Sequence, residues 1–175
     1  MNEVRQKAAV LVPVYRNDAG ELILVLVRRT EGDIHSGQLA FPGGKMSSTD
    51  HSLLNTALRE SEEEIGLKKT NIEILEQLPN VHTQTSQFDI TPFLAKIIRP
   101  IKWKRAEREI EEIIEIPVKE LINPNAHGEE IKNFPQWPEP RNVPFYRVGK
   151  YQLWGATYRI LTPILEKLLE QKWQI

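Results

Sequence analysis

Residues 41–67 read FPGGKMSSTDHSLLNTALRESEEEIGL, and the rest of the chain is arranged around them. A Pro-Gly-Gly turn opens the stretch, polar residues follow, and a helix carrying Arg59, Glu60, Glu62, Glu63 and Glu64 closes it. Gly66 stands where a helix commonly stops in a left-handed residue. Positions three and four apart share a helix face, so Glu60, Glu63 and Glu64 are expected to project together. Leu54, Ala57, Leu58, Ser61 and Ile65 form the mostly apolar complement. Like charges at these spacings cost roughly a few tenths of a kcal/mol per pair. A hard divalent cation with oxygen ligands would offset that repulsion. Gly43 and Gly44, one loop upstream, let the backbone approach a ligand or metal with no Cβ in the way. The plainer alternative, a solvated acidic face, leaves the Gly-Gly turn and the Arg-Glu spacing unexplained.

At 175 residues the chain is long enough for one domain, 1–175, with a sizeable core. Its net charge of −1 provides no general field for nucleic acid or an anionic membrane, so neither is expected as a partner. The absence of cysteine excludes disulfides and thiolate metal sites and suits a reducing cytoplasm, the expected location. Near the N-terminus, the apolar run ending at Tyr15 is too short to span a membrane, and it lacks the layout of a signal peptide. His35, His51, His82 and His127 have no spacing that suggests zinc. A small-molecule ligand and a monomer or homodimer are expected.

In chain order, Ala8 to Tyr15 and Leu22 to Val27 read as strands joined by the Asn17-Asp18-Ala19-Gly20 turn. Asn71 to Leu78 and Phe88 to Ile98 read as two more. Arg99 to Arg108 is a basic loop around Trp103. Glu109 to Pro117 reads as a strand and Val118 to Ile122 as a short helical turn. The proline-rich stretch from Asn123 to Pro144 shows no period and reads as a surface excursion. Phe145 to Tyr151 suggests a hairpin, with Trp137 and Trp154 as core or loop anchors. Thr157 to Trp173 is an amphipathic helix, either kinked at Pro163 or starting there with Thr162 as N-cap; the kink is preferred.

The central stretch resembles the Nudix box, G, five residues, E, seven residues, R-E-U-x-E-E-x-G-U, where U is aliphatic. Arg59-Glu60-Ser61-Glu62-Glu63-Glu64-Ile65-Gly66-Leu67 falls on its second half, with Ser61 at an aliphatic position. Asp50 stands where the first glutamate is expected, and eight residues separate it from Arg59. Upstream, HSGQLAFPGGK resembles the coenzyme A diphosphatase branch: Leu24, Arg28, Gly37 and Phe41 to Gly44 fall in register on its extra pattern. That branch commonly carries the Asp50-type box with the extra residue. Leu26, Arg29 and Asp33 depart from it, Asp33 replacing a second arginine.

The resemblance implies an α/β fold, the Nudix α/β/α sandwich with a mixed central sheet. It also implies a diphosphatase using Mg²⁺ or Mn²⁺ held by Glu60, Glu63, Glu64 and the Gly44 carbonyl. Arg59 would orient a catalytic glutamate. Glu63 is a candidate catalytic group, and Glu109 and Glu112 are two candidates for an acidic residue approaching from outside the box. Arg28, Arg29, His35, Gly43 and Lys45 are the substrate-binding candidates. The implied substrate is a nucleoside diphosphate derivative, coenzyme A or an acyl-CoA, cut to phosphopantetheine and adenosine 3′,5′-bisphosphate. The alternatives are hydrolysis of ADP-ribose, NADH or nucleoside triphosphates, and a module that senses nucleotides without cleaving them.

Overall fold

The computed structural model describes residues 5–30, 37–83, 87–135 and 137–175. Long apolar, β-branched runs make the central strands β1 (Gln6–Arg16), β2 (Leu22–Arg29) and β7 (Phe88–Ile97), each buried on both faces. β1 and β2 form the expected hairpin, while β1 and β7 run parallel from Gln6↔Phe88 to Val14↔Lys96. β5 (Ile72–Gln77) and β6 (Val81–His82) add antiparallel to β7, and β8 (Ile110–Pro117) to β2. The sheet is therefore mixed, with β3-β2-β1-β7-β5 as its main path.

β1 and β2 pair only through Val14–Arg16 and then diverge. Two short strands enter the gap: β3 (Leu39–Ala40) on β2 and β4 (Gly43–Lys45) on β1. The Gly-Gly turn is thereby held between the two central strands, under the helix that follows it. This split is the feature of the fold that places the site.

Alternating side chains send two apolar sets to opposite faces. Ala9, Leu11, Val25, Val27, Phe93 and Ala95 pack with Ala57 and Ile65 of α1 (Leu53–Ile65). Val12, Val14, Leu24, Leu26 and Leu94 pack with Ile160, Leu161, Ile164, Leu165 and Leu168 of α3 (Gly155–Leu169). Each such leucine or isoleucine contributes about 1.5–3 kcal/mol by leaving water. The result is the expected α/β/α sandwich. Pro163 lies inside α3, so the alternative start at Thr162 does not occur; its missing N–H leaves the Arg159 carbonyl without the usual helical donor.

The stretch from Asn123 to Pro144 is the main correction. It contains β9 (His127–Lys132) and the start of β10 (Arg141–Val148), which pair from Arg141↔Lys132 to Tyr146↔His127. With β11 (Tyr151–Trp154) they form a three-stranded antiparallel sheet after the short helix α2 (Val118–Leu121). β9 escapes pattern reading because HGEEIK is a polar, largely exposed strand with no apolar alternation. Among the described residues, no helix is long and apolar enough to cross a membrane.

Candidate active site

α1 starts and stops on its own sequence. Ser52 caps it by accepting from the Asn55 amide, and Gly66, at φ 69°, ends it by donating to the Glu62 carbonyl. Ser61 is buried at the aliphatic position of the pattern, with its hydroxyl bonded to the Ala57 carbonyl at 2.7 Å. The basic loop then caps the helix end: Lys104 N–H donates to the Ile65 carbonyl and Ala106 N–H to that of Glu64. Capping ties the loop to the helix and carries Glu109 to the side of Glu60 and Glu64.

A cleft of about 810 Å³ opens there. Glu60, Glu64 and Glu109 form its acidic wall, with Arg29, Gly43, Gly44 and Lys45 beside them. The Glu64 side chain is buried; its Oε2 accepts from the Gly43 amide at 3.0 Å and its Oε1 lies 3.4 Å from Arg29 Nη1. Burial outweighs both contacts and pushes the Glu64 carboxyl up to about 7, and it also raises that of Glu60. Both glycines are required here. A Cβ on Gly44 would lie 2.6 Å from the Glu60 carboxyl carbon, and one on Gly43 would lie 2.3 Å from the Ala9 carbonyl oxygen. Lys45 holds its ammonium over the Phe88 ring at 5.2 Å.

The carboxylates do not share one face as expected. Glu63 is 59% exposed and bonded to Arg59 at 3.1 Å, outside the lining of the cleft, while Glu60 and Glu64 face into it. The reason is rotation about the helix axis: α1 turns Glu64 inward with Ala57 and Ser61, which moves Glu63 to the flank. Arg59 reaches both sides, donating to Glu60 Oε1 at 2.8 Å as well as to Glu63.

A Gly-Gly turn set under an Arg-Glu helix, with one buried and one half-buried glutamate facing a cleft, is the arrangement that the family's pattern encodes. The NUDIX domain model matches residues 5–151. The chain belongs to the Nudix family. Over 165 residues it is 32% identical to the uncharacterized Nudix hydrolase NudL of Salmonella paratyphi B, covering 90% of this chain and 80% of that protein. A MutT/nudix family protein from Enterococcus faecalis shares the fold at TM-score 0.66 and 18% identity, over 97% of this chain and 64% of that one. The NUDIX domain of Shewanella oneidensis NrtR, solved with ADP ribose, aligns at TM-score 0.52 and 18% identity, over 67% and 75% of the two chains.

This Nudix hydrolase is thus an enzyme of pyrophosphate bonds in nucleoside diphosphate derivatives, and hydrolases of its family use divalent metal ions. Among the described residues no three His, Asp or Glu side chains are already converged as ligands. The donors present nevertheless suit a hard cation. All are oxygens, the Glu64 carboxyl is buried with its charge poorly offset, and the absent Cβ of Gly44 leaves the Glu60 carboxylate room against the backbone.

Other candidates lie elsewhere. Arg28 is held by Glu111 at 2.5 Å and Glu112 at 3.5 Å, with its guanidinium over the Tyr151 ring, and it is absent from the cleft lining. Glu112 also accepts from the Tyr151 hydroxyl at 2.6 Å, so of the two outer acids only Glu109 lines the cleft. His35 and Asp33 lie outside the described residues. The sequence reading missed the far wall, built by Phe134 and Trp137 of the β9–β10 connection, Arg141 and Trp154 of the small sheet, and Tyr158 and Arg159 of α3. Two aromatics and an arginine among the prolines of FPQWPEPR were its only signal.

Proposed function

We propose that this Nudix hydrolase cleaves the diphosphate of coenzyme A or its thioesters, giving the phosphopantetheine half and adenosine 3′,5′-bisphosphate. One observation carries the reading: the acidic wall shares its cleft with two further walls of different chemistry. Val10, Leu39, Ile90, Val143 and Ile160 supply an aliphatic surface, and the small sheet supplies aromatic rings with an arginine. A diphosphate bearing a large group on each phosphorus uses all three walls, whereas a nucleoside triphosphate leaves one empty. Leu24, Arg28, Gly37 and Phe41 to Gly44, in register with the coenzyme A diphosphatase pattern, support the same substrate.

Glu60 and Glu64 in the cleft, with the Gly44 carbonyl and the flanking Glu63, whose exposed side chain would have to turn inward, would hold the divalent cation. When bound, it lowers the pKa of a coordinated water and neutralises phosphoryl charge. Arg59 is a positioning residue, since it grips Glu60 and Glu63 together. Arg29 and Lys45 bring positive charge to the non-bridging oxygens. Glu109, which lines the cleft and lies off the helix, would accept the proton of the attacking water. Water adds to one phosphorus and the anhydride oxygen leaves on the other.

The test is turnover of coenzyme A, ADP-ribose, NADH and nucleoside triphosphates, each presented separately with Mg²⁺ or Mn²⁺ and its products weighed. Adenosine 3′,5′-bisphosphate from coenzyme A at the highest rate supports the reading. Preference for ADP-ribose would move the enzyme to a second reading, which the ADP ribose complex of the Shewanella fold relative favours.

A further inference from the structure

Three aromatic rings stand outside both apolar cores and line the substrate cleft: Phe134, Trp137 and Trp154. Phe134 stacks on Trp154 at 5.4 Å and 14°, and Trp137 meets both rings edge-on. Each indole also carries a cation: Arg141 lies 5.4 Å from the Trp137 ring and Lys132 lies 5.3 Å from that of Trp154. All three rings are half-buried, although packing alone would favour covering them completely. Phe134 and Trp137 sit in the connection between β9 and β10, and Trp154 ends β11.

We propose that this aromatic wall is the nucleobase subsite, with Trp137 as the stacking platform and Arg141 facing the attached anionic groups. The inference rests on the hydrolase reading of the cleft and assigns the base, rather than the non-nucleotide arm, to the small sheet. The chemistry favours that orientation. A flat π-system gains most from ring faces flanked by cations, while a flexible arm gains as much from the aliphatic wall of Val10, Leu39, Ile90 and Ile160. Stacking on an aromatic side chain is tolerant of base identity, so the subsite recognises a base without choosing strongly among bases.

Calorimetry with adenosine monophosphate and ribose 5-phosphate tests this, because the two ligands differ only in the base. Wild type should bind the nucleotide at least about 10-fold more tightly. Trp137→Ala should reduce the nucleotide to the level of ribose 5-phosphate and leave ribose 5-phosphate itself unchanged. Trp137→Phe should retain most of the preference, which separates loss of stacking from loss of fold. Equal affinity of wild type for both ligands, or an unchanged preference in Trp137→Ala, would overturn the assignment. Because binding is read without turnover, failure of the coenzyme A reading in the product assay leaves this result separate and interpretable.

Discussion

Asp50 and Arg59 clasp each other in a two-pronged ion pair, Nε to Oδ1 at 2.9 Å and Nη2 to Oδ2 at 2.9 Å. The Asp50 side chain is almost wholly buried and also accepts from the Ser47 amide and the Thr56 hydroxyl. The Arg59 guanidinium, ahead of those two bonds, holds the Asp50 carboxyl well below the usual carboxylate range. With its shorter side chain and one extra residue before Arg59, Asp50 still meets that arginine with both carboxylate oxygens. Asp50→Asn should cost roughly 2 kcal/mol, since it leaves Arg59 half-paired. Thermal unfolding should fall by roughly 4–8 °C, and kcat should fall with it because Arg59 positions Glu60. The contribution is present above about pH 4, where the unfolded Asp ionises, and is lost as acid titrates the pair.

Gly44→Ala separates site from fold. Its Cβ would first meet the Glu60 carboxyl group, the end of a flexible side chain, so that side chain must swing away while the sheet stays intact. Metal-dependent turnover should drop at least about 10-fold with little change in melting temperature. Gly43→Ala, at φ 155° against the Ala9 carbonyl, should instead destabilise the protein, as circular dichroism melts would show.

Glu109 and Glu112 stand three residues apart with different surroundings. Glu109→Gln should lower kcat by about 10²-fold or more, the usual range for loss of a general base. Glu112→Gln should leave kcat near wild type, since that carboxylate serves Arg28 and Tyr151. Steady-state kinetics on the two variants checks the assignment.

Burial of Glu64 costs the cation-free protein stability. A carboxyl raised to about 7 binds a proton that the unfolded chain has released, so stability falls as pH rises from about 4.5 to about 7. Arg29, Glu60 and Glu109 face the same group, and the last two add to the rise. With chelator present, Glu64→Gln should raise the melting temperature at pH 8 by several degrees, on the order of 2 kcal/mol. The gain should disappear near pH 5. In wild type, stabilisation by Mg²⁺ should grow with pH across the same window, because the ion takes the carboxylate form.

The main strands and the C-terminal helix were legible from dense apolar patterns, from Val10–Val14 to Ile160–Leu168, while the sandwich that they build was implied by the resemblance of the central stretch. The acidic helix and its glycines were legible by spacing, whereas the pairing of Asp50 with Arg59 was not. Side-chain rotation was not: the three-and-four rule puts Glu60, Glu63 and Glu64 on one face, but the packing of Ala57 and Ser61 decides which of them turns inward. The small sheet was also hidden, since β9 is polar and β10 contains Pro144. One wall of the cleft consequently comes from the least patterned part of the chain.

The most direct measurement is kcat for wild type and Glu64→Gln side by side, with coenzyme A and saturating Mg²⁺ and products identified by mass. Wild type should release adenosine 3′,5′-bisphosphate, and the variant, equally folded by circular dichroism, should fall by about 10²–10⁴-fold. A variant that turned over coenzyme A at the wild-type rate would contradict the assignment of the cleft carboxylates to catalysis.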